Sequence, residues 1–251
     1  MKVKINGKEL KNKIESVLLK GKWNNGNTNK NSVLSPSVVI SAGEECVLYN
    51  GNSSTFVSNS LETIEVNDSK SGRLTIDTDI LLKYLPDNNC ILQLKDNILV
   101  LIDERKTVKL PILERHESND SILHCEKNYN AVRDMTKEVI VSEKTQLKTR
   151  IKVSTKELIN ALKDCEAVGN SVFKLDYDGE VLNISSTKDN ESVNVSLEPV
   201  ESVGEKATME FSAPFYKYLE GVATILSFND ESPLSVISGN LKVLRAPRIE
   251  A

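Results

Sequence analysis

Residues 232–251 read SPLSVISGNLKVLRAPRIEA. Val236 and Ile237 stand on one side of Ser238-Gly239-Asn240, and Leu241, Val243 and Leu244 on the other. Apolar, largely β-branched runs around a Gly-containing polar triplet predict a β-hairpin. In the tail that follows, Pro247 cannot donate to a ladder, so the strand ends before it and a short extended segment lies on the surface.

Working outward from this hairpin, the chain reads as one pattern written twice. Lys8 to Ile14 is KELKNKI and Lys156 to Leu162 is KELINAL. Each follows a short alternating strand, with Val3 and Ile5 in one case and Ile151 and Val153 in the other. Each opens with a capping box, Asn6-x-x-Glu9 or Ser154-x-x-Glu157, which supplies acceptors for the free amides of a first helical turn. Leu10, Ile14, Val17 and Leu18, and then Leu158, Leu162 and Cys165, fall on one face at helical spacing. A second pair matches Ile80 to Leu85 with Pro214 to Leu219. Both are expected to be short helices, capped by Thr78 or Ser212 and stopped by Pro86 or Gly221.

Strands fill the rest of each half: Ser37–Ile40, Glu45–Tyr49, Thr55–Val66 and Arg73–Ile76, then Val172–Tyr177, Val181–Ser185, Ser192–Leu197 and Ala207–Phe211. Paired strands close each half around Lys95-Asp96-Asn97 or Asn229-Asp230-Glu231. A duplication that preserves element order, caps and breakers is a stronger signal than any single motif. The fold class that follows is α+β, with two similar domains of antiparallel sheet carrying two helices each, at 1–113 and 139–251. Residues 114–138 are polar apart from Ile122-Leu123 and form the interdomain connector. Gly21 to Ser35, rich in Asn, Gly and Ser, reads as a loop outside the repeat.

Composition narrows the function. The 251 residues carry a formal net charge of −4 and only 5% aromatics, which argues against a ring-lined pocket and against a uniformly basic surface. Any DNA contact must therefore come from basic residues segregated onto one face. No apolar run approaches the roughly 20 residues of a membrane helix, and the first residues lack a secretory h-region, so the expected setting is intracellular. Cys46, Cys90, Cys125 and Cys165 are dispersed and read as reduced thiols.

The tail residues Lys242, Ala246, Pro247, Arg248, Ile249 and Glu250, together with the duplication and the connector, resemble proliferating cell nuclear antigen (PCNA), the sliding clamp of archaea and eukaryotes. The resemblance covers nearly the whole chain and is stronger in the second half. It implies a ring, usually a homotrimer, with an outer wall of strands and helices facing a central hole that holds duplex DNA. It implies no catalysis, no cofactor and no metal. Such a ring tethers DNA polymerase and other replication and repair enzymes, making their rebinding intramolecular, and a separate clamp loader ATPase opens it. Its place of action would be with the DNA, in an archaeal cytoplasm or nucleoid, a nucleus or a virus-infected cell.

Off the apolar stripes lie Lys8, Lys11, Lys13 and Lys20 in the first half and Lys156 and Lys163 in the second, with Lys83 and Lys217 at equivalent places on the short helices. The resemblance makes these the DNA-facing set, acting through phosphates without reading bases. A lysine on a solvated helix face is ordinarily a solubilising residue, and Glu15, Asp77, Asp79, Asp164 and Glu220 dilute the charge. The partner-peptide groove would draw on Gly51, Thr55, Phe56, Ile122, Leu123, Pro233, Leu234, Ala246, Pro247 and Ile249, adding main-chain pairing by strand addition. Core packing is the plain alternative for Pro233 and Leu234. Arg245 departs from the family's apolar residue before Ala-Pro and is expected to make the pocket wall polar. Subunits would join edge to edge, Lys106, Val108 and Leu110 of one against Val193, Val195 and Leu197 of the next.

Other classes have less to stand on. His116 and His124-Cys125 are the nearest thing to a nucleophile or half a metal site, and they fall in the polar connector. No Gly-x-x-x-x-Gly-Lys-(Ser/Thr) or Gly-x-Gly-x-x-Gly run is present. A subunit of a heteromeric or checkpoint-type clamp, and a peptide-binding scaffold that never encircles DNA, are the two nearer rivals.

Overall fold

The computed structural model describes residues 1–18, 37–51, 55–66, 72–113, 140–142, 145–169, 172–212 and 215–248. The connector 114–138, with Ile122, Leu123, His116, His124 and Cys125, lies outside the described residues, as do the loop 21–35, Lys20, Ile249 and Glu250. The chain divides into two compact units, Met1–Asn52 with Val57–Leu123, and Ser53–Phe56 with His124–Ala251.

In the first unit the order is β1 (Lys2–Asn6), α1 (Gly7–Val17), β2 (Ser37–Ala42), β3 (Glu45–Gly51), β4 (Thr55–Glu62), β5 (Glu65–Val66), β6 (Gly72–Asp77), α2 (Thr78–Tyr84), β7 (Asn89–Lys95), β8 (Ile98–Ile102) and β9 (Thr107–Pro111). A small ladder follows, β10 (Ile140–Ser142) with β11 (Thr145–Gln146). The second unit then repeats the order as β12 (Thr149–Ser154), α3 (Thr155–Ala167), β13 (Val172–Tyr177), β14 (Leu182–Lys188), β15 (Glu191–Leu197), β16 (Glu201–Val203), β17 (Ala207–Ser212), a 3₁₀ turn (Tyr216–Tyr218), β18 (Ala223–Phe228), β19 (Leu234–Ser238) and β20 (Leu241–Arg245).

Strand order repeats as well. One sheet runs β5-β1-β7-β8-β9 in the first unit, and its counterpart runs β16-β12-β18-β19-β20 in the second. The other runs β6-β2-β3-β4 and then β17-β13-β14-β15. Every pairing with a resolved register is antiparallel. Alternation along the strands puts one side chain in two into the core, as with Val3 and Ile5 on β1, and Phe173, Leu175 and Tyr177 on β13. Helix α3 buries Thr155, Leu158, Ala161, Leu162 and Cys165 and packs on β14 and β15 of one sheet and β12 and β18 of the other. Phe173 stacks on Phe211 with ring centroids 5.4 Å apart, and Phe211 meets Phe215 at 5.3 Å, which anchors the 3₁₀ turn to that core.

Local chemistry sets the boundaries. Asn6 accepts from the Glu9 amide at 2.9 Å and Ser154 from the Glu157 amide at 3.4 Å, so both expected N-caps are in place. Ser238 pairs with Leu241 across a two-residue turn whose Gly239 has φ +60°, and Lys95 pairs with Ile98 across Asp96 and Asn97, both left-handed. Three expectations are corrected. The cap of α2 is Asp77, which accepts from the Ile80 amide at 3.0 Å, while Thr78 is the first helical residue and is buried. The expected fourth helix is a single 3₁₀ turn with no side-chain cap, so the described residues hold three α-helices and not two per domain. The run Thr55–Val66 is two strands in different sheets, broken where the Thr63 hydroxyl donates to the Glu44 carbonyl at 2.5 Å.

Cys46, Cys90 and Cys165 are free and buried. Burial pushes their thiols up from 9.0, to about 12, about 11 and about 11, with Glu45, Asp103 and Asp164 adding in turn. They are packing residues, and native protein treated with iodoacetamide near neutral pH should leave all three unmodified until the chain unfolds. The same shifts carry a sign. The unfolded chain loses these protons first, so the contribution is intact below about pH 9 and is lost as pH rises through the folded values. Each thiol costs about 1.4 kcal/mol per pH unit in that window. Tyr216, pushed up to about 12 by burial and by Glu166, acts in the same direction. The urea midpoint is expected to fall steadily between pH 9 and pH 11.

Candidate functional site

The described lysines expected to face DNA lie off the buried stripes of their elements. On α1, Lys8 is exposed and Lys11 and Lys13 are half-buried beside the inward stripe Leu10, Ile14 and Val17. Lys11 Nζ donates to Asp87 Oδ1 at 2.6 Å, which holds the Asp87 carboxyl below its ordinary range. Lys83 is exposed in the last turn of α2, its Nζ 5.2 Å from the Tyr84 ring centroid. In the second unit Lys156 and Lys163 are exposed on α3 and Lys217 on the 3₁₀ turn. Glu9 and Glu15 share the open face of α1, and Glu157, Asp164 and Glu166 that of α3. Neither helix is a strongly basic surface, so any pull on DNA rests on individual lysines rather than on a broad field.

The groove residues divide by burial. Gly51 is buried in the first unit. In the second, Thr55, Phe56 and Leu234 are buried in the core, while Pro233, Ala246 and Pro247 are half-buried. Arg245 is corrected most sharply. It does not line an open wall; at 3% exposure its guanidinium lies inside, donating to the Thr55 hydroxyl and to the Ser212 carbonyl. Burial pushes its pKa down to about 10, and the Tyr218 hydroxyl partly offsets this. The signal was present in the sequence, because Arg245 stands in phase with Leu241 and Val243 on the inward face of β20.

Beyond β20 the Arg248 amide donates to the Glu210 carbonyl of β17 at 2.8 Å. In the first unit the Leu113 amide, just past β9, donates to the Thr75 carbonyl of β6 at 2.8 Å. The repeat thus extends past the last strand of each unit, and in both the departing chain lies along the outer side of the sixth strand. Of the edge residues, Val108 on β9 and Val193 and Val195 on β15 are half-buried, whereas Leu110 and Leu197 point into the core. Lys106 falls just before β9, in the turn that Asp103 closes by accepting from the Arg105 and Lys106 amides at 2.7 and 2.8 Å.

A polar cleft of about 330 Å³ opens between Pro86, Asn88, Asn89 and residues 103–106. At the matching place in the second unit Glu220 folds over the turn and accepts from the Asn240 amide at 3.2 Å. Among the described residues no cluster of three or more His, Cys, Asp or Glu is placed to hold a metal, and no helix is long and apolar enough to cross a membrane.

Solved structures reproduce this doubled topology over the full chain. The DNA polymerase sliding clamp of Bacillus subtilis matches at TM-score 0.76 with 18% identity, over 100% of this chain and 65% of that one. The fold is that of the DNA sliding clamps. A. fulgidus PCNA, solved with the C-terminal region of FEN-1, matches the clamp fold of this chain at TM-score 0.69 with 17% identity, over 100% and 99% of the two chains. The PCNA2–PCNA3 complex of Sulfolobus tokodaii matches at TM-score 0.66 with 14% identity over 100% of both. The chain therefore spans about two thirds of the bacterial clamp and nearly all of the archaeal one. No family model and no curated protein matches the sequence. At these identities the likeness establishes the clamp fold.

Proposed function

We propose that this chain is a non-catalytic subunit of a ring, most simply a homotrimer, that encircles duplex DNA inside the cell, is opened by a clamp loader ATPase and tethers DNA polymerase and other enzymes. The observation that carries the reading is the doubled unit with two sheet edges left open. β9 and β15 each end a sheet; β15 is seven residues long with neither Lys nor Pro, the devices that ordinarily blunt an edge, whereas β9 carries Lys109 and Pro111. By contrast β5 and β16 are two and three residues long, and β6 and β17 each accept an amide from the chain that leaves their unit. Pairing β9 of one copy with β15 of the next is a head-to-tail contact, which makes a ring where the rotation between copies closes. Val108, Val193 and Val195 supply the side-chain contact, and Lys106, Leu110 and Leu197 flank it.

In this reading Lys8, Lys11, Lys13, Lys83, Lys156, Lys163 and Lys217 meet phosphates, sparsely enough for the ring to slide. Pro233, Ala246 and Pro247 form the exposed part of the partner groove, over a floor of Thr55, Phe56 and Leu234. The A. fulgidus clamp, solved with a partner's C-terminal region, supports a peptide-tethering role. The PCNA2–PCNA3 complex supports a second reading, in which the neighbour in the ring is a different clamp subunit.

Molar mass in solution tests the assembly. A species at three times 27.9 kDa is expected, and Val195→Asp, which sets a carboxylate on the open edge, should convert it to folded monomer. A monomer at every concentration would overturn the homotrimer and leave the heteromeric ring.

A further inference from the structure

The duplication provides its own control for one cluster on the exposed side of the second unit. Tyr216, on the 3₁₀ turn, donates its hydroxyl to Glu166 Oε2 on α3. Lys163 Nζ on the same helix and Lys217 Nζ on the same turn lie 5.8 and 5.9 Å from the Tyr216 ring centroid. Two lysines from different elements are thus drawn to one aromatic ring, whose own orientation is fixed by a carboxylate a turn along the helix. At the matching positions of the first unit stand Leu82 for Tyr216, Glu15 for Lys163 and Leu18 for Glu166, while Lys83 still matches Lys217. Ring, carboxylate and second lysine stand together in one unit and are absent from the matching places of the other.

We propose that Tyr216 is a positioning residue that clasps Lys163 and Lys217 into a single paired contact for a nucleic-acid phosphate. The proposal rests on the reading of this face as DNA-facing and deepens it. A free lysine loses side-chain entropy when it settles on a phosphate, and two that are already gathered over a ring lose less. Glu166, by accepting from the Tyr216 hydroxyl, holds in place the ring beside which the two lysines lie. The second unit then grips the backbone at a defined place while the first, with Lys11 tied to Asp87, grips it loosely.

The test measures binding of a short duplex at low salt for the full chain and for Tyr216→Leu, Tyr216→Phe, Lys163→Ala/Lys217→Ala and the triple variant that joins Tyr216→Leu to the lysine pair. Tyr216→Leu should weaken binding roughly three- to ten-fold, Tyr216→Phe, which keeps the ring and loses the bond to Glu166, should fall between Tyr216→Leu and the parent, and Tyr216→Leu should add nothing once both lysines are gone. A full effect of Tyr216→Leu in the lysine-free chain, or none in the parent while the lysine pair matters, overturns the clasp and leaves the DNA-facing reading standing. Lysine removal without effect overturns both. A second readout needs no DNA: the ε-methylene protons of Lys163 and Lys217 should show an upfield ring shift that Tyr216→Leu abolishes and Tyr216→Phe reduces. Absence of that shift in the parent overturns the clasp whatever the binding data show.

Discussion

Arg245→Ala is expected to destabilise the second unit by about 2–4 kcal/mol, whereas Arg245→Met should cost clearly less. The side chain is 3% exposed, and two of its partners, the Thr55 hydroxyl and the Ser212 carbonyl, are neutral. Truncation to alanine leaves both groups without the guanidinium and empties the volume of a long side chain. Methionine keeps much of the volume and removes a cation that is worse off inside than in water, as its depressed pKa of about 10 records. Lost hydrogen bonds oppose recovered desolvation in both variants, and Arg245→Ala adds the cavity that Arg245→Met largely fills. Urea unfolding of the three proteins at neutral pH measures the difference. Equal losses for the two variants would show that the charge itself, not the packed stem, is what the site requires.

Gly7→Ala should cost about 1–3 kcal/mol in the first unit, against the ordinary preference of a helix for alanine. Gly7 opens α1 and donates its amide to the Asn88 carbonyl at 3.0 Å. A Cβ there would stand 2.1 Å from the Pro86 carbonyl oxygen and 2.7 Å from that of Asn88, and neither is the tip of a flexible side chain. Helix propensity would favour the substitution by about 1 kcal/mol, and the overlap with two backbone oxygens exceeds it. The second unit shows what the geometry permits when the loop differs. Thr155 occupies the same helical position, donates its amide to the Val222 carbonyl at 3.0 Å, and its hydroxyl shares a hydrogen bond with that of Thr224 at 2.9 Å. A thermal midpoint for Gly7→Ala at or above that of the parent would contradict the close approach.

Much of the fold was legible because local and global signals agreed. The caps Asn6 and Ser154, the turn at Gly239 and the alternation of β13 and β17 each decide a conformation within a few residues, and the tertiary structure keeps those decisions. What escaped was decided at longer range. Thr55 to Val66 reads as one strand, and the chain leaves one sheet for the other where Thr63 bonds to the β2–β3 turn and the Ile64 amide to the Lys4 carbonyl of β1. The Pro214–Leu219 stretch looks helical by analogy with Ile80–Leu85, yet no side chain caps it, and Phe215 is held by the aromatic core instead. Of the candidate site, the exposed lysines and the open edges follow from pattern. The inward turn of Arg245 is written in the period-two register of β20, although an arginine before Ala-Pro suggests a polar wall by its charge alone. The Tyr216 cluster has no local signature, because its members come from two elements some fifty residues apart.

Topological retention on DNA tests the central claim most directly. Single cysteines on the open edges, at Lys109 and Asn194 with Cys125 replaced by Ser, are joined by a short bis-maleimide after subunits dissociated by dilution have been concentrated and reassembled in the presence of nicked circular DNA, and the complex is washed at high salt. High salt strips contacts that depend on phosphate charge and leaves a linked ring in place. The account predicts retention on the circle and release once a restriction enzyme linearises it; equal loss from circular and linear DNA would contradict it.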